Sequence, residues 1–209
     1  MNSNDNKYIK NTYNTVLQYN ENNRGKVNWV SLVKNLLSEL GFYEVWINQG
    51  VGNVNAFLSL FKQRIRDNYK QDWNARINQS PIARFYCLFS NFGFKSYLNL
   101  DTAKNIRIYI SKLRLSSHTL EIEKGRYRKP NPVPVNERKC NECNTLEDEF
   151  HFLLECKKYQ NLRTMYIKRY YWVRPNVPKL ITLLTSENVN ECRKLGKFIK
   201  HAFEIKNSN

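Results

Sequence analysis

Apolar residues recur at helical spacing along much of the chain. In residues 29–40 they fall three and four positions apart, behind Asn28, which can cap a helix, and ahead of Gly41, which can end one. Residues 54–77 keep a single apolar stripe over a longer stretch. No segment shows a convincing alternation of apolar and polar residues, which is the pattern of a half-buried strand. The hydrophobic pattern therefore predicts a mainly α fold.

Two segments interrupt the helical pattern. Residues 1–25 are polar and rich in Asn, which predicts a loose tail or a short helix. Residues 129–138, KPNPVPVNER, contain three of the six prolines and predict an extended connector. We therefore predict a polar tail over residues 1–25, a helical linker domain over residues 26–128 and a small helical C-terminal domain over residues 129–209.

Composition narrows the class of protein. Hydrophobic residues make up 41% of the chain, which is enough for a real core. No apolar run is long enough to span a membrane, and the N-terminus lacks the apolar core of a secretion signal. The five cysteines are odd in number, so a disulfide framework is not expected. These features predict a cytoplasmic or nuclear protein.

The formal net charge of +16 indicates polyanionic partners. RNA or DNA is the first candidate, and an anionic membrane surface is the second. The charge is spread along the chain, so local clusters of basic residues have to decide between the two. We expect RNA or DNA to be the partner, and no membrane.

The segment CNECNTLEDEFHFLLEC has the ligand types and spacing of a zinc site. Cys140 and Cys143 can form a tight bidentate turn, and His151 and Cys156 complete the pattern C-x2-C-x7-H-x4-C. Four ligands predict a closed, structural zinc site whose binding energy supports folding. The alternative is that the cysteines are small buried apolar residues. His151 and Cys156 are five residues apart, so both can bind one metal only if the helix ends or turns near Glu155.

Two further groups of residues have alternative interpretations. The acidic run Glu147, Asp148 and Glu149 could hold a divalent metal in a nuclease, or it could mark a helix N-terminus, where the helix dipole favours acids. The pattern favours the second interpretation, with a helix that starts near Leu146. His118 could be a base, a phosphate contact or a histidine at the edge of the core.

The segment after Cys156 is basic and aromatic. Residues 157–186 contain no acid and seven Lys or Arg residues, with tyrosines and Trp172 between them. Basic residues neutralise phosphates and aromatic rings stack on unpaired bases, so this segment predicts nucleic-acid contact. The alternative is that some aromatics belong to the core and the charges form a solvated face. The predicted contact residues here and beside the zinc motif are Arg126, Arg128, Lys129, Arg138, Lys139, Lys157, Lys158, Arg163, Lys168, Arg169, Trp172 and Arg174.

The segments KLRLSSHTLEIEKGRY and ERKCNECNTLEDEFHFLLECKKYQNLR resemble the C-terminal region of non-LTR (LINE-type) retrotransposon reverse transcriptases. The zinc-knuckle spacing is accompanied by R-x-x-S-H upstream and E-C-x-x-Y-x-x-L-R downstream, and the resemblance extends from about residue 41 to residue 205. It implies a helical linker followed by a zinc-binding domain that contacts template RNA or target DNA. Cys140, Cys143, His151 and Cys156 match the family's ligands, and Arg114 and His118 match its position before the knuckle, where we expect nucleic-acid contact.

The polymerase motif F/Y-x-D-D of that family does not occur in this sequence, and neither does a nuclease motif. We therefore expect a non-catalytic nucleic-acid-binding module that corresponds to the tail of a larger protein. The alternative is a zinc-stapled protein-interaction domain, whose partner could be the polymerase portion of the parent protein, or a degenerate fragment without activity.

Overall fold

The computed structural model describes residues 3–22, 27–99 and 103–208, and this part of the chain is mainly α, as the hydrophobic pattern predicts. It contains no β-strand, only an isolated bridge between Lys139 and Leu146. None of its helices is long and apolar enough to cross a membrane. The α-helices are α1 (Ser3–Asn22), α2 (Trp29–Glu39), α3 (Tyr43–Asn48), α4 (Val54–Gln79), α5 (Tyr86–Phe89), α6 (Lys104–Arg114), α7 (Glu121–Lys124), α8 (Gln160–Tyr166), α9 (Arg169–Trp172), α10 (Val177–Thr185) and α11 (Val189–Asn207).

Helix α2 begins and ends where the sequence predicts. The Asn28 side chain accepts hydrogen bonds from the backbone N–H groups of Val30 and Ser31, and the Ser31 hydroxyl accepts one from Asn28 N. Gly41 follows the helix with φ of +78°, a conformation that a residue with a Cβ rarely adopts. The polar N-terminal segment also forms a helix, α1, over most of the predicted tail.

The described chain forms two compact units, and the division lies elsewhere than the sequence predicts. The first unit extends to Asp72 and the second begins at Trp73, within α4. The proline segment 129–138 lies inside the second unit, because hydrogen bonds hold it against the residues before it. Val133 N donates to Gly125 O at 2.8 Å, and the Arg138 guanidinium donates to Ile122 O at 2.7 Å. The predicted boundary between residues 128 and 129 therefore falls inside the second unit.

The first unit buries few of its large apolar side chains. Among its described residues, only Val30, Leu37 and Leu40 belong to the buried hydrophobic set. Helix α4 forms as predicted, but its apolar stripe is not buried, and Leu58 and Tyr69 are exposed. Apolar periodicity predicts the helix correctly, but it does not predict whether the apolar stripe is buried.

The second unit has a continuous hydrophobic core. Helix α11 supplies much of it and packs against α6 and α8. The closest approach is at Gly196, where an added Cβ would lie 2.4 Å from Ile106 Cγ2. Phe152, in the segment between the predicted metal ligands, stacks on Phe203 at 4.9 Å between ring centroids. The candidate metal ligands are thus built directly onto this core.

Candidate metal centre and basic surface

The four predicted ligands lie together in the second unit. Their ligand atoms are all within 4.8 Å of one another, in a group that we call the Cys/His cluster (Cys140, Cys143, His151 and Cys156). All but Cys143 are buried, and Cys143 is half-buried. The cluster can therefore hold a metal ion.

A tight turn brings the first two cysteines together. Asn144 N donates to Cys140 O at 2.8 Å, and Cys140 N donates to Thr145 O at 2.8 Å. Asn144 has φ of +53°, a left-handed conformation that Asn tolerates better than most residues. Cys140 and Cys143 are thereby held on the same side of the turn.

A π-helical turn aligns His151 with Cys156. The segment His151–Glu155 is π-helical, and Cys156 N donates to His151 O at 2.8 Å. This hydrogen bond joins residues five apart, so the two ligands lie one above the other instead of diverging as they would on an α-helix. Cys156 itself is not helical, with ψ of 122°. The condition that the helix ends or turns near Glu155 is therefore met, although the sequence did not predict a π-turn.

The start of this helical segment is later than predicted. Leu146 is in the isolated bridge, and helical structure begins at Glu149. The Asp148 side chain accepts a hydrogen bond from His151 N at 2.9 Å, so Asp148 caps the segment.

The His151 imidazole is oriented by neighbouring side chains. Its Nδ1 lies 3.2 Å from Thr145 Oγ1 and 3.5 Å from Glu155 Oε2. Its Nε2 is buried and has no hydrogen-bond partner, which is costly for a polar atom away from water. A metal ion bound at Nε2 would satisfy this atom, while Nδ1–H donates outwards, as is usual for metal-binding histidines.

The thiols are held close together in a low-dielectric environment. Cys156 Sγ lies 3.8 Å from Cys140 Sγ and 3.9 Å from Cys143 Sγ. Burial, and then the nearby Cys140, raise the pKa of Cys156 to about 12. Without a metal ion the Cys156 thiol therefore keeps its proton at neutral pH, and a bound cation would favour the thiolate.

Arg163 is buried beside the Cys/His cluster and does not face solvent. It is 1% exposed, and its guanidinium donates to Leu153 O, Cys156 O and Gln160 Oε1 at 2.7–2.8 Å. Burial lowers the pKa of Arg163, and the nearby Cys156 and Cys143 offset only part of that shift. The predicted nucleic-acid contact at Arg163 is therefore corrected, because no phosphate can reach this group.

The acidic run beside the cluster is used for internal ion pairs. Glu147 accepts from Lys206 Nζ at 2.7 Å, and Asp148 lies 3.0 Å from an Arg84 nitrogen. Burial raises the pKa of Asp148, and the hydrogen bond from His151 N and the charge of Arg84 oppose that shift. Glu149 also has a protein partner, Ser116, so all three carboxylates of the acidic run are buried and hydrogen-bonded or ion-paired within the protein.

The R-x-x-S-H segment binds the third carboxylate. The Ser116 hydroxyl donates to Glu149 at 2.6 Å, and His118 Nε2 lies 2.9 Å from the same oxygen. Burial raises the pKa of Glu149, but the hydrogen bonds and charge of His118, with Ser116, outweigh it and lower that pKa. The His118 side chain is 1% exposed, which agrees with the interpretation of a histidine at the core edge.

Two further predicted contacts are also buried and are corrected. The Arg114 guanidinium donates to Leu184 O and lies 4.5 Å from the Tyr97 ring centroid. Arg138 donates to Val133 O and Ile122 O. Both side chains are 6% exposed, and both stabilise the packing of the second unit.

The remaining predicted contact residues lie at the surface or near it. Arg126 is half-buried and pairs with Glu123, Arg128 pairs with Glu121, and the half-buried Trp172 donates its Nε1–H to Ile167 O. Lys158 is half-buried. The exposed members of the predicted set, besides Arg128, are Lys129, Lys139, Lys157, Lys168, Arg169 and Arg174.

The sequence-based prediction does not include a second group of surface cations. They lie on α11, whose buried face contains Leu195, Phe198, Ile199 and Ala202. The opposite face has four cations at helical spacing, and the alternation of apolar and basic residues in this helix could have identified it. We call this group the basic stripe (Arg193, Lys194, Lys197 and Lys200).

The fold and the site define a mainly α protein with a Cys/His cluster that can hold a metal ion. Comparison with protein-family models, with characterised proteins and with solved structures finds no match to this chain. The functional argument therefore depends on the chemistry of the residues described above.

Proposed function

We propose that this chain is a non-catalytic nucleic-acid-binding module with a structural zinc ion, related to the C-terminal region of non-LTR reverse transcriptases. The support for this proposal is the geometry of the Cys/His cluster, the exposed cations of the same unit and the sequence resemblance. The exposed cations of this unit are the observation that carries nucleic-acid binding, although Arg128 and Lys168 pair with Glu121 and Glu191.

The distances within the Cys/His cluster support zinc as the metal. Zinc–sulfur bonds are about 2.3 Å long, so two thiolates on a tetrahedral zinc are about 3.8 Å apart. The two Sγ–Sγ distances to Cys156 are 3.8 and 3.9 Å. Three cysteines and one histidine are also a common donor set of structural zinc sites.

A structural role is supported by the surroundings of the cluster. Four protein ligands leave no open coordination position for a substrate or a reactive water. The neighbouring acids Glu147, Asp148 and Glu149 accept hydrogen bonds from buried or half-buried protein groups, which holds them in structural pairs. These carboxylates therefore act as internal pairs in this proposal, and we assign no reaction to them.

Binding to RNA or DNA is tested by its salt dependence. We expect the logarithm of the association constant to fall linearly with the logarithm of salt concentration, by about 0.7–0.9 for each phosphate contact. The measurement is fluorescence anisotropy of labelled RNA and DNA over a salt series. Absence of binding at low salt, or binding that salt does not weaken, would contradict the proposal.

Two exposed residues provide the matched variant. Lys168→Ala/Arg169→Ala should flatten the salt slope, because both residues are exposed in the basic segment. The control is Lys104→Ala/Lys112→Ala, which removes the same charge from the exposed face of α6. An equal effect of the two variants would mean that net charge, and not this segment, determines binding.

A second candidate function is protein interaction through the first unit. Helix α2 exposes Leu32, Val33 and Leu36, a larger apolar surface than a solvated helix usually presents. The proposed partner is the polymerase portion of a parent protein. Concentration-dependent self-association in sedimentation experiments, reduced by Leu32→Glu, would support this function, and a monomer at all concentrations would count against it.

A further inference from the structure

A groove separates the α8–α9 segment from the first half of α11. It has a volume of about 410 Å³, within the range of small-ligand sites. Its floor is apolar and includes Ile167, Tyr171 and Leu195. We call it the α8–α11 groove.

Positive charge surrounds the α8–α11 groove. Lys168, Arg169 and Lys194 line it, and all three are exposed. The one carboxylate in its lining is Glu191, which accepts hydrogen bonds from Ser186 and Tyr171 and pairs with Lys168. Glu191 therefore holds Lys168 at the rim and is itself largely neutralised.

The basic stripe continues the charge beyond the groove. Lys194 belongs both to the groove and to the stripe, and Lys197 and Lys200 follow it along α11 by three and six residues. A helix rises about 1.5 Å per residue, so these three cations are spaced about 4–5 Å apart along its axis. Lys194 and Lys197 are exposed, whereas Lys200 is half-buried and lies 3.7 Å from Glu204 Oε1. Lys194 and Lys197 therefore offer successive contacts for phosphates that leave the groove.

The groove also offers surfaces suited to an unpaired base. Met165 is 66% exposed at its edge, and Tyr166 lies beside it with its ring stacked on His201 at 5.8 Å. Asn190 contributes a side-chain amide, a group that hydrogen-bonds base edges. Paired bases are stacked inside a duplex and cannot enter such a groove, whereas an unpaired base can.

We propose that the α8–α11 groove binds a single strand of nucleic acid, with a base in the groove and the adjoining phosphates on the basic stripe. This inference rests on the proposed function and adds the location and the strandedness of binding. The proposed contact surface therefore includes α11 as well as the basic segment that the sequence predicts.

The test compares two charge-matched variants of the full chain. Lys194→Ala/Lys197→Ala removes two cations of the stripe, and Lys104→Ala/Lys112→Ala removes two exposed cations of α6. Each is measured by fluorescence anisotropy with a short single-stranded RNA, a DNA strand of the same sequence and the RNA annealed to its complement. Circular dichroism confirms that both variants keep the wild-type helix content.

We expect the stripe variant to bind single strands about tenfold more weakly and to lose about 1.4–1.8 from the salt slope, which corresponds to two phosphate contacts. The α6 variant should change much less, and wild-type protein should prefer both single strands to the duplex. Equal losses in the two variants would overturn the location, and tighter duplex binding would overturn the strandedness. If wild-type protein binds no strand at all, the proposed function fails together with this inference.

A photo-crosslinking experiment tests the location independently of charge. A single strand that contains a photoreactive base should crosslink within residues 164–171 or 188–195 or at Leu183, which together line the groove. Crosslinks confined to other parts of the chain would overturn the assignment, even if the charge variants weaken binding.

Discussion

Arg163 connects the second half of the Cys/His cluster to α8. Its guanidinium donates to the carbonyl of Cys156 and to that of Leu153, and both hydrogen bonds are buried. A buried charge is costly unless hydrogen bonds satisfy it, and here the backbone carbonyls do so. Because one of these carbonyls belongs to a candidate ligand, Arg163 positions Cys156 without being a candidate ligand itself.

Replacing Arg163 with Met should therefore destabilise the second unit. The change removes the guanidinium donor from the buried Leu153 carbonyl, and it leaves the Cys156 carbonyl with the longer hydrogen bond from Tyr159 N, at 3.3 Å. Each lost buried hydrogen bond costs about 1–3 kcal/mol. We expect the free energy of unfolding to fall by about 3 kcal/mol in urea denaturation. The control is Arg169→Met, an exposed position where the change should stay within about 0.5 kcal/mol. Equal, small effects at both positions would show that Arg163 is not a structural residue.

The ion pair between Lys206 and Glu147 allows a second test at this scale. Lys206→Met leaves the Glu147 carboxylate, 6% exposed, with the backbone N–H of Glu121 but without its cation. We expect the free energy of unfolding, measured by thermal or urea denaturation, to fall by about 1–3 kcal/mol. This is less than the cost of breaking a fully buried ion pair, because Lys206 is partly exposed. Lys197→Met, on the exposed face of the same helix, should be nearly neutral. A neutral result for Lys206→Met as well would show that the pair contributes nothing to stability.

At the scale of elements, the π-turn at His151–Glu155 determines the geometry of the site. It converts a five-residue spacing, which diverges on an α-helix, into two aligned ligands. The ligand set and the need for a turn near Glu155 could be predicted from spacing alone. The π-turn could not, because it depends on how Phe152 and Leu153 pack into the core of the second unit.

The contact between α6 and α11 depends on Gly196. In Gly196→Ala the new Cβ would lie 2.4 Å from Ile106 Cγ2, and such overpacking typically costs about 1–3 kcal/mol. The higher helix propensity of Ala offsets up to about 1 kcal/mol, so the clash should dominate. We expect a lower melting temperature by differential scanning calorimetry.

Gly52→Ala is the control for this prediction, because no atom lies within 4 Å of the added Cβ. The cost of Gly196→Ala should also shrink in an Ile106→Ala background. If both glycine variants are neutral, then α6 and α11 are not packed as closely as described.

The local sequence determines which segments form helices more fully than it determines which side chains are buried. Helices α2 and α4 follow from apolar periodicity and from the Asn28 cap, which are local features. Their burial depends on distant surfaces, and Leu58 is exposed although it belongs to the predicted stripe. Likewise Arg114 and Arg163 look like surface cations in the sequence, because only the fold shows which carbonyls face them.

For the whole molecule, the two units differ in how much apolar surface they bury. The second unit contains the continuous core and the Cys/His cluster, whereas the described first unit buries only Val30, Leu37 and Leu40. We expect a fragment of residues 73–209 to unfold cooperatively in the presence of zinc, followed by circular dichroism. A fragment of residues 1–72 should unfold without a sharp transition, and a cooperative transition there would contradict this division of stability.

We propose that the Cys/His cluster holds a structural zinc ion on which the folding of the second unit depends. The most direct test is elemental analysis of the purified chain beside a Cys140→Ser/Cys143→Ser variant, with circular dichroism of both. We predict about one zinc per wild-type chain, and loss of both the zinc and much of the helicity in the variant. A wild-type chain that is fully folded without zinc, or a variant that keeps its helicity after losing zinc, would contradict the claim.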